Sequence, residues 1–410
     1  MKRREFLQSS ALAATAMAWG APALAETSPA NTPPGATPRA EIRRFRDLGK
    51  TGIRMSDISF GAGSVPSGSL ILRAIDRGIN YFDTAPDYGP SEDHFGEAMK
   101  RIKDREKIKI ASKFCHPIPY QEGKSHLGLG TTVAEYIAAV DNSLKRMGTG
   151  YLDVVFVHAI GERNDLEQER RRMLDENMLT AVDRLKKEGK IRHLAVSSHG
   201  PHGMESLMLE AVNSGHFDLV MMAFNFMKFP RIPEIMRLAR QKGVGVIAMK
   251  TLAGARESGA KLEAGQFEQA ALKWVLNHEE VSGLVVTFKS VQDLDLFLPA
   301  SGQTMTAGDR TILEHYAALH GDQYCRTGCG ECAGVCEQKV DIATILRYQM
   351  YFQNYGDEKR AMESYAALDG SARPCLECTN RACANACPHG LPIASRLVAA
   401  HKTLTLSFMA

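Results

Sequence analysis

The sequence lacks three features that would each indicate a familiar class of protein. It has no charge excess, since 50 Lys and Arg residues are balanced by 47 Asp and Glu residues, with a formal net charge of +3. We therefore expect no nucleic-acid partner. Beyond residue 25 it has no apolar run long enough to cross a bilayer, so we expect no membrane span there. It also has no Gly-rich dinucleotide fingerprint, because the GAGS segment at 61–64 is too short.

The first 25 residues have the composition of an export signal. Arg3 and Arg4 precede a short Ala-rich apolar run, and residues 23–25, Ala-Leu-Ala, fit a small-residue cleavage site. The arginine pair favours the twin-arginine route, and an ordinary signal peptide is the alternative. We predict a signal peptide over residues 1–25 and a periplasmic protein. Residues 26–40 contain four Pro and few apolar residues, which predicts a disordered linker.

From residue 43 onward, short apolar runs alternate with longer amphipathic stretches that often end at Gly. Eight of these runs are candidate strands, over residues 56–61, 79–83, 108–113, 152–158, 191–197, 218–224, 243–250 and 283–288. Eight strands alternating with helices over roughly 250 residues are typical of a (β/α)8 TIM barrel, the α/β fold that we predict. A doubly wound open sheet is the alternative, but it would need the dinucleotide fingerprint.

Polar residues stand where three successive candidate strands end. Asp83, Lys113 and His158 are the terminal residues, and Tyr88 follows Asp83 in a Pro- and Gly-rich turn. Because these strand ends face one mouth of a barrel, we expect the four side chains to converge. A nearby Lys113 can lower the high pKa of a phenol, and Asp83 can hold that lysine. With His158 as a hydrogen-bond donor, the set suits proton delivery to a carbonyl oxygen while hydride reaches the carbon.

The chain resembles the aldo-keto reductase superfamily over roughly residues 43–300. The match lies in the segments RDLGKTGIRMSDISFG, FDTAPDYGPSE, IASK, LDVVFVH, GKIRHLAVSS and GVIAMKTLAG. The resemblance implies a barrel domain over residues 41–310 that reduces a small-molecule carbonyl, or oxidises an alcohol, with NADP(H). It implies Tyr88 as general acid, Lys113 and Asp83 as residues that tune it, and His158 as the residue that orients the carbonyl.

The resemblance also implies contacts to the nucleotide. The implied residues are Ser197, Ser198, Asn225, Lys250, Thr251, Leu252, Lys289 and Ser290. The family usually has Ser-Asn where this chain has Ser197 and Ser198, and Gln where it has Met221. Lys289 and Ser290 could bind a phosphate group through hydrogen bonds. An altered or weakened nucleotide affinity, or none, is therefore an open alternative.

Eight of the nine cysteines fall in two runs late in the chain. The first run has the spacing C-x3-C-x2-C-x3-C, and the second has C-x2-C-x4-C-x3-C followed by Pro. Both resemble the bacterial ferredoxin run with an insertion, which predicts two [4Fe-4S] clusters. By the ferredoxin pattern the two ligand sets are Cys325, Cys329, Cys332 and Cys387, and Cys375, Cys378, Cys383 and Cys336. There are three alternatives: the four cysteines of each run bind one cluster, the cysteines bind a structural zinc ion, or they form disulfides.

Between the cysteine runs, residues 340–368 have the pattern of two amphipathic helices. This spacing is similar to α-helical ferredoxin domains, so we predict a small iron–sulfur domain over residues 318–410. The leading hypothesis is an exported oxidoreductase with a possible redox partner protein. The alternative is a non-enzymatic or partner-coupled electron-transfer subunit that uses the barrel as scaffold. We also predict that Cys115 is a packed side chain and that residues 167–173 form a solvated helix face or loop.

Overall fold

The computed structural model describes residues 39–121, 124–227, 231–254, 266–323 and 325–405. The predicted signal peptide and nearly all of the predicted linker lie outside these described residues. From Ala40 onward the described residues belong to one compact unit. Within these ranges, no helix has both the length and the apolar character that crossing a membrane requires.

Eight parallel strands close into a barrel, which confirms the predicted barrel and excludes the open sheet. A short antiparallel hairpin precedes it, formed by β1 (Phe45–Asp47) and β2 (Arg54–Ser56). The barrel strands are β3 (Ile58–Gly61), β4 (Tyr81–Asp83), β5 (Lys109–Lys113), β6 (Leu152–Val157), β7 (Ile191–Ser198), β8 (Leu219–Ala223), β9 (Gly245–Met249) and β10 (Gly283–Thr287). The barrel closes because β10 pairs with both β9 and β3.

Helices cover the outside of the barrel. In chain order they are α1 (Gly68–Asp76), α2 (Ser91–Met99), α3 (Val133–Met147), α4 (Leu166–Met173), α5 (Glu176–Lys187), α6 (Met204–Ser214), α7 (Ile232–Lys242), α8 (Gln266–Leu276), α9 (Val291–Phe297) and α10 (Ala307–His320). Local sequence sets the ends of α3: Thr132 and Glu135 cap each other's backbone amides, and Gly148 leaves the helix at a φ of 62°.

Two hydrophobic cores hold the barrel together. Large side chains between the sheet and the helices form the outer core, with Phe60, Phe82 and Phe95 packed ring against ring. The inner core fills the barrel with inward-pointing residues, among them Phe156 and Met221. The hairpin closes the amino-terminal end of the barrel, because Leu48, Ile53 and Met55 of the hairpin and its turn belong to this inner core. The polar mouth is therefore at the carboxyl ends of the strands.

The chain after α10 packs around a core of its own. Its helices are α11 (Ile342–Tyr355), α12 (Glu358–Ala366) and α13 (Ile393–Leu404). The two helices predicted between the cysteine runs are α11 and α12. Six of the eight clustered cysteines pack against this core. The bounds predicted for the domains and the iron–sulfur character of this region stay predictions. We call residues 325–405 the tail.

The tail is docked on loops that follow β7 and β8 at the barrel mouth. Arg326 donates from Nε to the carbonyl of Met227 at 3.1 Å. His202 Nε2 lies 3.1 Å from a carboxylate oxygen of Asp341. Gly328 has a φ of 73°, and a Cβ there would lie 2.4 Å from the side chain of Met204. The cysteine-bearing loop therefore approaches the barrel as closely as glycine allows.

Candidate active site

The four residues predicted at the strand ends meet in one place. Asp83 ends β4, Lys113 ends β5, His158 follows β6, and Tyr88 lies in the loop after β4. Lys113 Nζ donates to Asp83 Oδ1 at 2.6 Å and to the Thr84 carbonyl at 2.8 Å. The Tyr88 hydroxyl lies 3.4 Å from His158 Nε2. A buried ion pair and a phenol–imidazole pair thus stand side by side at the barrel mouth.

All four residues line a cavity of about 340 Å³. The barrel also contributes glycine backbone atoms, and serine, methionine and lysine side chains, from β3, β7, β8, β9 and β10 or the loops after them. The outer wall of the cavity comes from the tail, which contributes Tyr351, Asn354, Tyr355, Gly356, Asp357 and Arg360. The size is within the range of small-molecule sites, and the tail encloses what would otherwise be an open mouth.

The structure corrects the expectation that Lys113 lowers the pKa of Tyr88. Burial in the cavity wall, followed by the negative charges of Asp83 and Asp87, raises the pKa of Tyr88 well above its usual value. The charge that opposes this rise is that of Arg360, whereas the Lys113 ammonium is paired with Asp83 at 2.6 Å. The phenol therefore keeps its proton at physiological pH.

His158 is held as a neutral imidazole. Burial, and then the charges of His126 and Lys113, lower the pKa of His158 well below its usual value. Cys115 Sγ lies 3.1 Å from His158 Nδ1. Burial raises the pKa of the Cys115 thiol, so its proton can be donated to Nδ1. That leaves the hydrogen of the imidazole on Nε2, facing Tyr88. Cys115 is buried as predicted, and it also orients the histidine.

Residues 167–173 form helix α4, but two of its charged side chains are buried. Arg172 is 2% exposed and donates to the carbonyls of His158 at 2.9 Å and Ala159 at 3.0 Å. Glu169 pairs with Arg172 at 2.9 Å and accepts from the Gly161 amide at 2.6 Å. The expectation of a solvated face is thus wrong for these two, because they hold the loop that carries His158.

A network of charges joins the tail to this loop region. Arg347 of α11 donates to the carbonyl of His199 at 2.7 Å and lies 3.8 Å from Glu162. Glu162 in turn lies 3.2 Å from His126 Nδ1. Sequence reasoning missed these residues. One available signal was the spacing of Arg347, Tyr351 and Tyr355, which recur every fourth residue and so share one face of α11.

The predicted nucleotide contacts divide into two groups. Five of them line the cavity: Ser197, Lys250, Thr251, Leu252 and Lys289. The other three are used by the fold. Ser198 donates to the Ile160 carbonyl, Asn225 donates to the Lys250 carbonyl, and Ser290 caps α9. Met221 also lines the cavity, so an apolar side chain stands where the family usually has Gln.

The eight clustered cysteines form two spatial sets. Burial and then the neighbouring Cys332, Cys329 and Cys387 raise the pKa of Cys325 to about 12. Burial and then Cys336, Cys383 and Cys378 raise the pKa of Cys375 to about 11. The fourth cysteine of each run therefore lies with the other run, which is the arrangement that the ferredoxin pattern predicts. All eight lie in the described residues, and no two of them are joined by a disulfide bond.

Comparisons with known proteins identify relatives of this chain. A model of the aldo/keto reductase family matches residues 67–269. L-galactose dehydrogenase of Arabidopsis thaliana is 24% identical over 314 residues, which are 67% of this chain and 93% of that protein. L-glyceraldehyde 3-phosphate reductase of Escherichia coli K12 is 27% identical over 230 residues, 51% of this chain and 62% of that protein.

Solved structures show the same barrel. A Pseudomonas aeruginosa protein described as an aldo-keto reductase superposes with a TM-score of 0.50 at 25% identity, over 63% of this chain and 93% of that one. The holo form of an aldo-keto reductase from Bacillus halodurans has a TM-score of 0.52 at 23% identity, over 66% and 95%. The second likeness concerns the fold alone.

Proposed function

Since this chain belongs to the aldo/keto reductase family and is an oxidoreductase, we propose that it reduces a small-molecule carbonyl with NADP(H), with Tyr88 as general acid. The observation that carries the proposal is the placement of Tyr88, His158 and the Lys113–Asp83 pair in one enclosed cavity. The protonated Tyr88 phenol can supply the proton that a reduced carbonyl must receive.

The side chains divide the work of proton transfer. His158 Nε2–H and the Tyr88 hydroxyl are 3.4 Å apart, so both can donate to one carbonyl oxygen placed between them. Tyr88 then gives up its proton as charge develops on that oxygen. Lys113, whose Nζ lies 5.0 Å from the centre of the Tyr88 ring, is a cation beside the resulting phenolate, and its pairing with Asp83 limits how far it stabilises that charge. Asp83 keeps the lysine in that position.

The cavity fits a nicotinamide nucleotide at its phosphate end. Lys250 and Lys289 are cationic groups on the cavity wall, and Thr251 follows Lys250 on that wall, so these residues would hold phosphates. Ser197 would face the nicotinamide. When bound, NADPH supplies hydride to the carbonyl carbon. Met221 offers no hydrogen bond to the carboxamide, so we expect weaker binding than with the family's usual Gln.

Turnover by a Tyr88→Phe variant tests this proposal, with Tyr136→Phe as a matched control. Both changes remove one phenolic oxygen, but Tyr136 contacts the Gly128 carbonyl and does not line the cavity. We expect Tyr88→Phe to lower kcat about 10²- to 10⁴-fold, with the NADPH dissociation constant unchanged. An anaerobic fluorescence titration of the wild-type protein measures NADPH binding, after a denatured sample is checked for released nucleotide.

Undiminished turnover by Tyr88→Phe would overturn the role of Tyr88. Absence of both NADPH binding and released nucleotide would overturn the nicotinamide mechanism and favour the partner-coupled electron-transfer alternative.

We propose that the two cysteine sets each hold a [4Fe-4S] cluster. Their crossed grouping supports this, since each set takes one cysteine from the other run. The thiolates of a tetrahedral zinc site would lie about 3.8 Å apart. Among the described residues, no three of these sulfurs all lie within 4.8 Å of one another, which fits a larger group better. Clusters, when bound, would pass single electrons.

Cys325 places the first cysteine set close to the candidate active site. Cys325 lines a second cavity of about 80 Å³. Asn354 lines both this cavity and the candidate active site, so the first cysteine set is adjacent to the site. We propose that a partner protein exchanges electrons with this set. Equal cluster reduction with and without candidate partners from the same compartment would overturn that proposal.

We propose that the protein is exported to the periplasm by the twin-arginine route. Support comes from Arg3 and Arg4 ahead of a short Ala-rich run. A double Arg3→Lys, Arg4→Lys variant should remain in the cytoplasmic fraction, while the wild-type protein reaches the periplasmic fraction. Equal export of both would refute the route.

A further inference from the structure

Four potential metal ligands, one of which is His158, come together on the side of His158 that faces away from the cavity. Asp87, Cys115, His126 and His158 each offer one ligand atom, and these atoms all lie within 4.8 Å of one another. All four side chains are buried. An isolated backbone bridge places Cys115 directly beside His126. The sequence separates these residues by up to 71 positions, so only the fold assembles them.

The spacing of the group suits a small tetrahedral ion. Cys115 Sγ lies 3.1 Å from His158 Nδ1. A carboxylate oxygen of Asp87 lies 3.7 Å from His158 Nδ1 and 3.5 Å from His126 Nε2. Ligands bonded at 2.0–2.3 Å to tetrahedral zinc lie about 3.3–3.8 Å from one another. The three measured distances are close to this range.

The polar atoms of the group are poorly satisfied by the protein itself. Among the described residues, Asp87 Oδ1 has no hydrogen-bond partner although it is fully buried. Neither ring nitrogen of His126 makes a hydrogen bond of good geometry. Buried polar atoms without partners are rare in native proteins, and a bound ion is one ordinary explanation.

The surroundings have the form of a metal site's outer shell. His126 turns Nε2 toward Asp87 and Nδ1 toward a Glu162 oxygen at 3.2 Å. A carboxylate behind a ligating histidine is the usual arrangement at zinc sites. Ser125 donates to Asp87 at 2.9 Å and would orient that ligand.

Charge and ligand type favour zinc over other divalent ions. A carboxylate and a thiolate together balance a divalent cation, so the occupied site would be neutral despite its burial. One sulfur, two imidazole nitrogens and one carboxylate oxygen suit zinc, whereas magnesium and calcium prefer oxygen ligands.

We propose that Asp87, Cys115, His126 and His158 bind one Zn²⁺ ion behind the candidate active site. Binding displaces the thiol proton of Cys115 to solvent. Ligation through Nδ1 leaves the proton of His158 on Nε2, facing Tyr88, and so fixes the donor tautomer. The ion would thus position a catalytic residue without touching the substrate.

Zinc binding by the full-length chain tests the proposal directly. The protein is purified anaerobically, dialysed against ZnCl₂ and then against metal-free buffer, and its zinc is counted per chain. X-ray absorption at the zinc edge reports the ligands. We expect one zinc with one sulfur and three nitrogen or oxygen neighbours. Zinc bound only in the cysteine runs would show sulfur neighbours and no nitrogen or oxygen neighbours. That result would overturn the proposal.

Variants assign the site, and His116→Gln is the matched control because His116 is exposed next to Cys115. We expect Cys115→Ala and His126→Gln to bind zinc at least tenfold more weakly, and His116→Gln to bind it like the wild type. Circular dichroism checks that each variant is folded. No retained zinc in the wild type, or unchanged binding in both ligand variants, would overturn the proposal. These measurements need neither nucleotide nor substrate, so their failure leaves carbonyl reduction untouched.

Discussion

Replacing Arg347 by Met should release the tail from the barrel mouth. Arg347 is buried, donates to the His199 carbonyl at 2.7 Å and to the Tyr351 hydroxyl at 2.6 Å, and lies 3.8 Å from Glu162. Methionine keeps the apolar stem but removes every one of these contacts. Breaking a buried pair by removing one partner costs about 3–5 kcal/mol, because the other charge stays buried.

Hydrogen exchange measures the effect where it should occur. A loss of 3–5 kcal/mol corresponds to amide exchange in α11 that is about 10²- to 10⁴-fold faster, if α11 exchanges by opening of the tail. Exchange in the strands of the barrel should change far less. Since α11 supplies Tyr351 and Asn354 to the cavity, KM for a carbonyl substrate should rise as well.

Arg240→Met is the control for this experiment. Arg240 pairs with Glu279 at 3.2 Å, but their side chains are 59% and 81% exposed. Exposed pairs contribute little, so this variant should exchange like the wild type. If α11 exchanged equally in Arg347→Met and the wild type, the inference that this arginine anchors the tail would be wrong.

Three further predictions follow from other contacts. Arg172→Met should lower kcat about 10- to 100-fold, because the loop that carries His158 loses its support. Arg171 is exposed, so Arg171→Met should leave kcat unchanged, and equal kcat values for the two variants would contradict this role of Arg172. Burial raises the pKa of Asp341, but its hydrogen bonds to His202 and Thr344 lower that pKa overall. The Asp341 carboxylate therefore stabilises the fold fully above about pH 3.9, and this stabilisation is lost as the pH falls further. Asp341→Asn should therefore lose less stability than the wild type in urea unfolding between pH 6 and pH 3, and parallel losses would refute that. Cys387→Ser should show the same electron paramagnetic resonance change as Cys325→Ser if both hold one cluster, and different changes would indicate sharing within each run.

The barrel and its four central residues could be predicted because their information is local. Each strand of the barrel is a short apolar run bounded by turn residues, and parallel strands covered on both faces need such runs. Once the strands are placed, Asp83, Lys113 and His158 must face the same mouth, since every strand runs in the same direction. Their convergence follows from topology, without knowledge of any long-range contact.

The pKa of Tyr88 could not be predicted in the same way. From sequence, Lys113 is a cation near a phenol, which would lower the pKa of the phenol. In the structure Asp83 neutralises that cation at 2.6 Å, and burial becomes the larger effect. The sign of such a shift depends on distances and solvent exclusion, which spacing along the chain does not contain.

Sequence alone therefore determined the barrel, the mouth at which its polar residues gather, and the two helices between the cysteine runs. Tertiary structure decided the rest: that Arg172 points inward, that α11 closes the cavity, and that Asp87, Cys115 and His126 meet behind His158. The physical reason is that periodicity specifies which face of an element is buried. What that face meets depends on contacts between residues far apart in the chain, such as the 148 positions between Arg347 and His199.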